Sequence, residues 1–191
     1  MNTQIKISFK IFFVMTILTG IIYPLFVTLI GQTIYPAKAN GSFISIKNKI
    51  VGSELIGQEF LSDKYFHSRP SAINYNPMPS GGTNLSVTSA ALKEKVKKQA
   101  FLFDSINQID KNTKIPSEML YASASGLDPH ISIKSANLQI SRICKARNFS
   151  ESQKQMLIKL IINLSQNRQF GFLGEERINV LKLNIELDKI K

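Results

Sequence analysis

Two histidines, His67 and His130, are the only imidazoles in the chain and stand 63 residues apart. Asp128-Pro129-His130 sets a carboxylate two residues before an imidazole, a pairing suited to general-base chemistry, and Ser80, Ser123 and Ser125 offer hydroxyls. No serine stands in the Gly-x-Ser-x-Gly setting that exposes a nucleophile on a strand-to-helix turn. The plainer reading of Asp128-Pro129 is a turn that ends one element and starts the next. A metal site needs ligands repeated at short spacing, and neither histidine has a neighbouring cysteine, a His-x3-His partner or a close carboxylate pair. Neither a metal nor a tightly bound cofactor is expected. Arg69 is more suggestive: Pro70 holds it beside Tyr65 and Phe66, the setting of a partly buried guanidinium. Arg69, Asp128 and His130 are therefore structural or interface candidates.

Ser80-Gly81-Gly82-Thr83-Asn84 is a candidate anion holder, because successive glycine N–H groups can form a nest and a following helix N-terminus adds partial positive charge. It lacks the spaced Gly-Lys-Ser/Thr of a P-loop, and its plain alternative is a tight turn whose hydroxyls cap the next helix.

The elements that must position these residues follow from periodicity. Ser42 to Ile46 and Ile50 to Gly52 read as a hairpin turning at Asn48. A helix starting near Thr88 puts Leu92, Val96, Gln99 or Ala100, and Phe103 on one face, with Lys93, Lys95, Lys97 and Lys98 mostly outside. A second, N-capped by Ser132, repeats Ile133, Ala136, Ile140 and Ile143. Ser150-Glu151-Ser152-Gln153 is a capping box opening a third, expected to bury Met156, Leu157, Leu160, Ile161 and Leu164. Leu181, Leu183, Ile185 and Leu187 alternate with polar residues, the pattern of a half-buried strand. The expected fold is α+β, with a small sheet and about three helices in one soluble domain. Residues 61–86 and 123–130 fit neither period. The lone Cys144 excludes an internal disulfide.

Residues 11–37 carry no charged side chain. As a helix, 11–34 reaches roughly 36 Å against about 30 Å of hydrocarbon, so 11–34 is expected to be a transmembrane anchor. A cleaved signal peptide, with Lys6 and Lys10 as basic start and Ala37-Lys38-Ala39 as cleavage site, is the rival, but its apolar region runs to only about 7–15 residues. Gly20, Pro24 and Gly31 are either tolerated or mark a face that packs on a partner helix. Lysines flank both ends, so charge bias barely orients the span. A short tail before a long C-terminal domain is typical of a signal anchor, placing residues 1–10 in the cytoplasm and 40–191 outside it. The chain has 24 Lys+Arg against 13 Asp+Glu, and 21 of the basic residues lie in 40–191. Nucleic acid is not the expected partner, because the lysines spread over helix exteriors instead of clustering with aromatics; anionic lipid headgroups fit better.

Five blocks then stand in order behind the anchor: Val51 to Phe60, Tyr65-Phe66-His67-Ser68-Arg69-Pro70-Ser71-Ala72, Ser80 to Leu85, Ser123 to Ser132, and Ile178 to Asn184. Together they closely resemble the C-subunit (KdpC) family of bacterial Kdp-type potassium-transporting ATPases. Departures are small: Thr83 stands where the family usually has serine, the stretch between Ala72 and Ser80 is short, and Ser86 to Ser89 replaces a commoner Gly-Pro-Thr-Asn.

The resemblance implies a single-pass subunit of the bacterial inner membrane that serves a high-affinity potassium uptake complex. It has no catalytic site of its own. Its partners would be a channel-like potassium-binding subunit, a P-type ATP-hydrolysing subunit and a small one-helix subunit. This chain has no Asp-Lys-Thr-Gly-Thr phosphorylation motif. The family is described as a catalytic chaperone that raises the ATP affinity of the hydrolysing subunit, which makes Ser80, Gly81, Gly82, Thr83 and Asn84 the candidate ATP-binding residues. A domain outside the cytoplasm cannot touch cytosolic ATP, so such an effect would instead pass through the channel-like subunit as a coupling free energy of about 1–3 kcal/mol. A signal-anchored extracytoplasmic binder of an anionic ligand, using Arg69 and Ser80 to Thr83, is the alternative function.

Overall fold

The computed structural model describes residues 2–110 and 112–190; positions 1 and 191, the outermost of the expected tail and domain, lie outside the described residues. The chain forms two compact units that divide after Ser53.

In the first unit, α1 (Asn2–Ile17), a π turn (Leu18–Ile22) and α2 (Tyr23–Ile34) follow one another. Thr3–Ile34 is a run of 32 residues long and apolar enough to cross a membrane. The helix therefore starts well before Ile11 and carries Lys6 and Lys10 as exposed helical residues. The π turn has a local cause. Pro24 has no N–H to give and its ring crowds the carbonyl four residues back, at Gly20. The turn widens, and the Tyr23 N–H reaches Leu18 O instead. Three hydroxyls along the helix bond back to it, Thr16 to Phe12 O at 2.8 Å, Thr19 to Met15 O at 2.7 Å and Thr33 to Leu29 O at 2.8 Å, which satisfies these three without water. After a short α3 (Pro36–Ala39) come β1 (Phe43–Ile46) and β2 (Lys49–Ser53), an antiparallel hairpin. Its turn residues Lys47 and Asn48 both have positive φ, 49° and 63°, the two-residue turn that matches strand twist.

The second unit is α+β. It comprises α4 (Ala90–Asn107), a 3-10 turn (Ser117–Met119), β3 (His130–Ile131), α5 (Ile133–Arg147), α6 (Glu151–Leu164), β4 (Ile178–Asn179) and α7 (Val180–Leu187). β3 and β4 form a two-residue antiparallel pair, His130 opposite Asn179 and Ile131 opposite Ile178. Phe66, Ile143, Leu157, Ile161, Leu183 and Leu187 are fully buried at the centre of the core. Ser132 caps α5 by accepting from the Ser135 N–H, and Asn148 ends it in the left-handed conformation (φ 54°) with Lys145 and Arg147 in the last turn. The Ser150–Gln153 capping box is complete on α6.

Two expectations need correction. Residues 180–187 are a helix and not a strand: the Asn179 side chain accepts from the Lys182 N–H at 3.0 Å, and the buried set is Val180, Leu181, Leu183, Asn184 and Leu187, the i, i+1, i+3, i+4, i+7 spacing of one helix face. Alternation of Leu181, Leu183, Ile185 and Leu187 mimicked a strand only while Asn184 counted as a polar, outward residue. Met156 is 52% exposed, whereas Leu157 and Ile161 fill the interior. The helix expected to start near Thr88 begins at Ala90, as that reading has it; Ser86 and Thr88 bond hydroxyl to hydroxyl ahead of it at 2.9 Å.

Candidate functional site

Arg69, Asp128 and His130 come from segments that sequence alone leaves 59 residues apart, and they meet. Arg69 Nη1 donates to Asp128 Oδ2 at 2.6 Å. The His130 N–H donates to Asp128 Oδ1 at 3.0 Å, and its Nδ1 lies 3.5 Å from the same oxygen. Partial burial pushes the Asp128 carboxyl upward, but hydrogen bonds from the His130 side chain and backbone and from Arg69 outweigh it and hold Asp128 at about 2. The segment carrying Asp128 is clamped. The Gly57 N–H donates to Leu127 O at 2.7 Å, and a Cβ on Gly57 would stand 2.7 Å from Asp128 O, so only glycine fits. Ser71 Oγ donates to Gly126 O at 2.8 Å, and the Tyr75 hydroxyl donates to Arg69 O. Burial lifts that phenol to about 12, so it stays a donor.

Glu118 joins the cluster. Burial raises its carboxyl, yet bonds from Ser132 and Ser135 bring it below its ordinary value; Ser135 Oγ is 2.6 Å away. Arg69, Asp128, His130, Glu118, Glu175 and Arg177 line a cleft of about 200 Å³. Such a cleft is small beside the roughly 300–1,000 Å³ of small-molecule pockets, and within it Asp128 is the charge that Arg69 and His130 share. What it can do chemically is present a fixed pattern of charge to another surface.

The Ser80–Asn84 segment runs beside the same strip. The Gly81 N–H donates to Ser125 O at 3.2 Å, a Cβ on Gly82 would sit 3.1 Å from Ala124 O, and Asn84 has φ 52°. One of the N–H groups a nest would aim at an anion is thus already engaged, and α4 starts six residues beyond Asn84. Thr83 reaches a groove of about 530 Å³ beneath α4, whose rim carries Lys95 and Lys98. Gly20 has open space around it, and a Cβ on Gly31 would meet only Ala39 Cβ at 3.8 Å, so the chain's own packing demands neither glycine. Among the described residues no group of three or more His, Cys, Asp or Glu is gathered to hold a metal.

Sequence reasoning missed the polar groups that hold the irregular segment in place. Arg142 Nε donates to Asn107 Oδ1 at 2.9 Å, Nη1 to Asp63 O at 2.5 Å, and Nη2 to Tyr65 O at 2.9 Å and Gln139 Oε1 at 2.8 Å. Burial pulls this guanidinium down to about 10, still charged at neutral pH. Asn184 takes the Phe66 N–H at 2.8 Å and gives to Phe66 O at 3.0 Å. His67 lies beside them, its N–H on Gln139 Oε1 at 2.7 Å; burial, then the Arg142 charge, lowers its imidazole. The available signal was Gln139 and Arg142 on a face otherwise given to Ile140 and Ile143.

A helix long and apolar enough to span a membrane, followed by an α+β unit, defines the class as a membrane-associated protein. The model of the family described as "KdpC: K+-transporting ATPase, c chain" matches residues 5–189. Potassium-transporting ATPase KdpC subunits are among its relatives: that of Leptospira interrogans is 42% identical over 96% of this chain and 93% of its own length. Those of Koribacter versatilis and Burkholderia ambifaria are each 44% identical, covering 92% and 98% of this chain and 89% and 97% of their own. The chain belongs to the KdpC family.

Proposed function

We propose that this chain is an accessory subunit of an ATP-driven potassium uptake complex, held by its single helix and working outside the cytoplasm. The observation that carries the reading is the family match across residues 5–189, anchor and folded unit together. In this reading the helix face with Gly20, Pro24 and Gly31 packs on the channel-like potassium-binding subunit, where glycines allow close approach. The folded unit covers that subunit's entrance, and its effect on the ATP-hydrolysing subunit is a coupling free energy. It is not electrostatic concentration of potassium, since the domain carries a basic excess.

Deleting residues 41–191 while keeping 1–40 is expected to preserve assembly. Potassium-stimulated hydrolysis should then need roughly 5-fold or more ATP for half-saturation, the lower end of ordinary coupling energies. Unchanged hydrolysis sinks the proposal. Direct contact between ATP and Ser80, Gly81, Gly82, Thr83 and Asn84 is the competing route. Photo-labelling of the purified complex with an azido-ATP separates the two: label on these residues favours direct contact, and label confined to the hydrolysing subunit favours coupling. Sidedness is read by an impermeant thiol reagent on intact cells, with a cysteine placed at exposed Ser80.

A further inference from the structure

Between α6 and β4 the chain turns back on itself from Gln166 to Arg177. The two ends are joined by a reciprocal pair, Gln166 N–H to Arg177 O at 2.8 Å and Arg177 N–H to Gln166 O at 3.1 Å. Nearer the tip a second reciprocal pair joins Gln169 and Leu173, both bonds 2.9 Å. Phe170, Gly171 and Gly174 all take positive φ, at 53°, 82° and 78°. For phenylalanine that is an unfavourable conformation, accepted here by a turn whose shape is otherwise fixed. The turn holds Phe170 at 86%, Phe172 at 72% and Leu173 at 48% exposure. Three large apolar side chains on a preformed turn are a contact surface in want of a partner.

Charge decides which partner. The chain has 19 lysines and only five arginines. Arg142 is spent in the core and Arg147 on Asp188 at 2.7 Å and the Tyr65 ring at 5.0 Å. The other three are Arg168 and Arg177, on this turn, and Arg69, in the cleft beside it; among the described residues no lysine lines that cleft. Glu175 and Glu176 follow the tip directly and form no ion pair among the described residues. Aromatic residues with arginine, and without lysine, are the composition of a protein interface core. A turn that enters an anionic bilayer would instead be flanked by a cluster of basic residues, and free carboxylates beside the tip would be repelled there.

We propose that the 166–177 turn docks on another protein subunit of the complex, inserting Phe170, Phe172 and Leu173 into an apolar socket whose polar rim meets the Arg69–Asp128–His130 cleft. This rests on the accessory-subunit reading and names the surface through which it acts. The test replaces Phe172 by the photo-crosslinker p-benzoylphenylalanine in the full chain, co-expressed with the rest of the complex. An adduct with a second protein subunit is expected; adducts with lipid only, or none, in a complex that still co-purifies overturn the proposal. In parallel, the triple variant F170S/F172S/L173S changes only exposed side chains. It should leave assembly and thermal unfolding as in the unaltered chain and raise the ATP half-saturation roughly 5-fold or more, the effect expected of domain deletion; an unchanged value overturns the proposal. Failure of domain deletion itself to alter hydrolysis condemns the accessory reading, while the adduct still decides whether the turn meets protein.

Discussion

The two sides of the folded unit hold irregular chain in different ways. On one side α5 and α7 grip residues 63–67 through side chains: Arg142 takes Asp63 O and Tyr65 O, Gln139 takes the His67 N–H, and Asn184 takes both backbone groups of Phe66. On the other, the 18-residue α4 buries only Phe103 and Asn107. Leu92 and Val96 are half-buried over a groove of about 530 Å³, and Phe101, Leu102 and Ile106 stay exposed. A segment without a ladder partner can still be rigid if buried side chains take its N–H and C=O groups. A regular helix can be weakly attached if its apolar stripe meets a void. Regularity and rigidity are thus separate properties of this molecule.

That contrast breaks most readily at Arg142. Arg142→Met leaves the Asp63 and Tyr65 carbonyls and Asn107 Oδ1 without their donor and Gln139 Oε1 with the His67 N–H alone, and should cost about 3–5 kcal/mol in denaturant unfolding of the full chain in detergent. A cost under about 1 kcal/mol would mean that packing rather than polar gripping fixes residues 63–67. Asn184→Leu keeps the volume and strands two buried backbone groups of Phe66, for about 2–4 kcal/mol by the same measurement.

These two residues also explain what could be read from sequence. Helices α5 and α6 were legible because local chemistry and tertiary burial agree: Ser132 and Ser150 cap them, and the core takes Ile143, Leu157 and Ile161 at helical spacing. Helix α7 was not, because its pattern satisfies periods of 2 and 3.6 alike until Asn184, 2% exposed, counts as interior. A buried amide that serves an irregular stretch 118 residues away leaves no local signature. The same reason hides the Arg69–Asp128 pair. Each residue stood out by type and neighbours, but that they meet depends on Gly57 and Ser71 clamping the 126–128 strip. The 166–177 turn carried only a cluster of apolar and glycine residues, and its exposure is a tertiary fact.

Asp128 sharpens the comparison with a smaller effect. Its folded value of about 2 lies below the ordinary 3.8, so the stability it contributes is present above about pH 4 and lost as pH falls from there through 2. With the carboxylate 30% exposed, solvent screening leaves this at about 1–2 kcal/mol. Asp128→Asn should lower stability by that amount at pH 7 and flatten the acid side of the profile between pH 4 and 2. If the variant keeps the original acid dependence, other carboxylates set it and the cluster is held by its glycine and serine clamps instead.

The smallest effect is expected where attachment is loosest. Lys95 and Lys98 stand at the rim of the α4 groove and form no ion pair among the described residues, so replacing both with serine removes charge without removing a native contact of consequence. Unfolding should shift by no more than about 0.5 kcal/mol, the range of ordinary surface substitutions. In the same samples, hydrogen exchange should find the amides of α4 opening at lower free energy than those of α5 and α6, because few buried contacts oppose local opening there. Protection of α4 equal to that of α5 would erase the distinction between the two sides. It would mean that the half-filled groove costs the helix nothing, and that an exposed apolar stripe along Phe101, Leu102 and Ile106 is compatible with firm attachment through Phe103 and Asn107 alone.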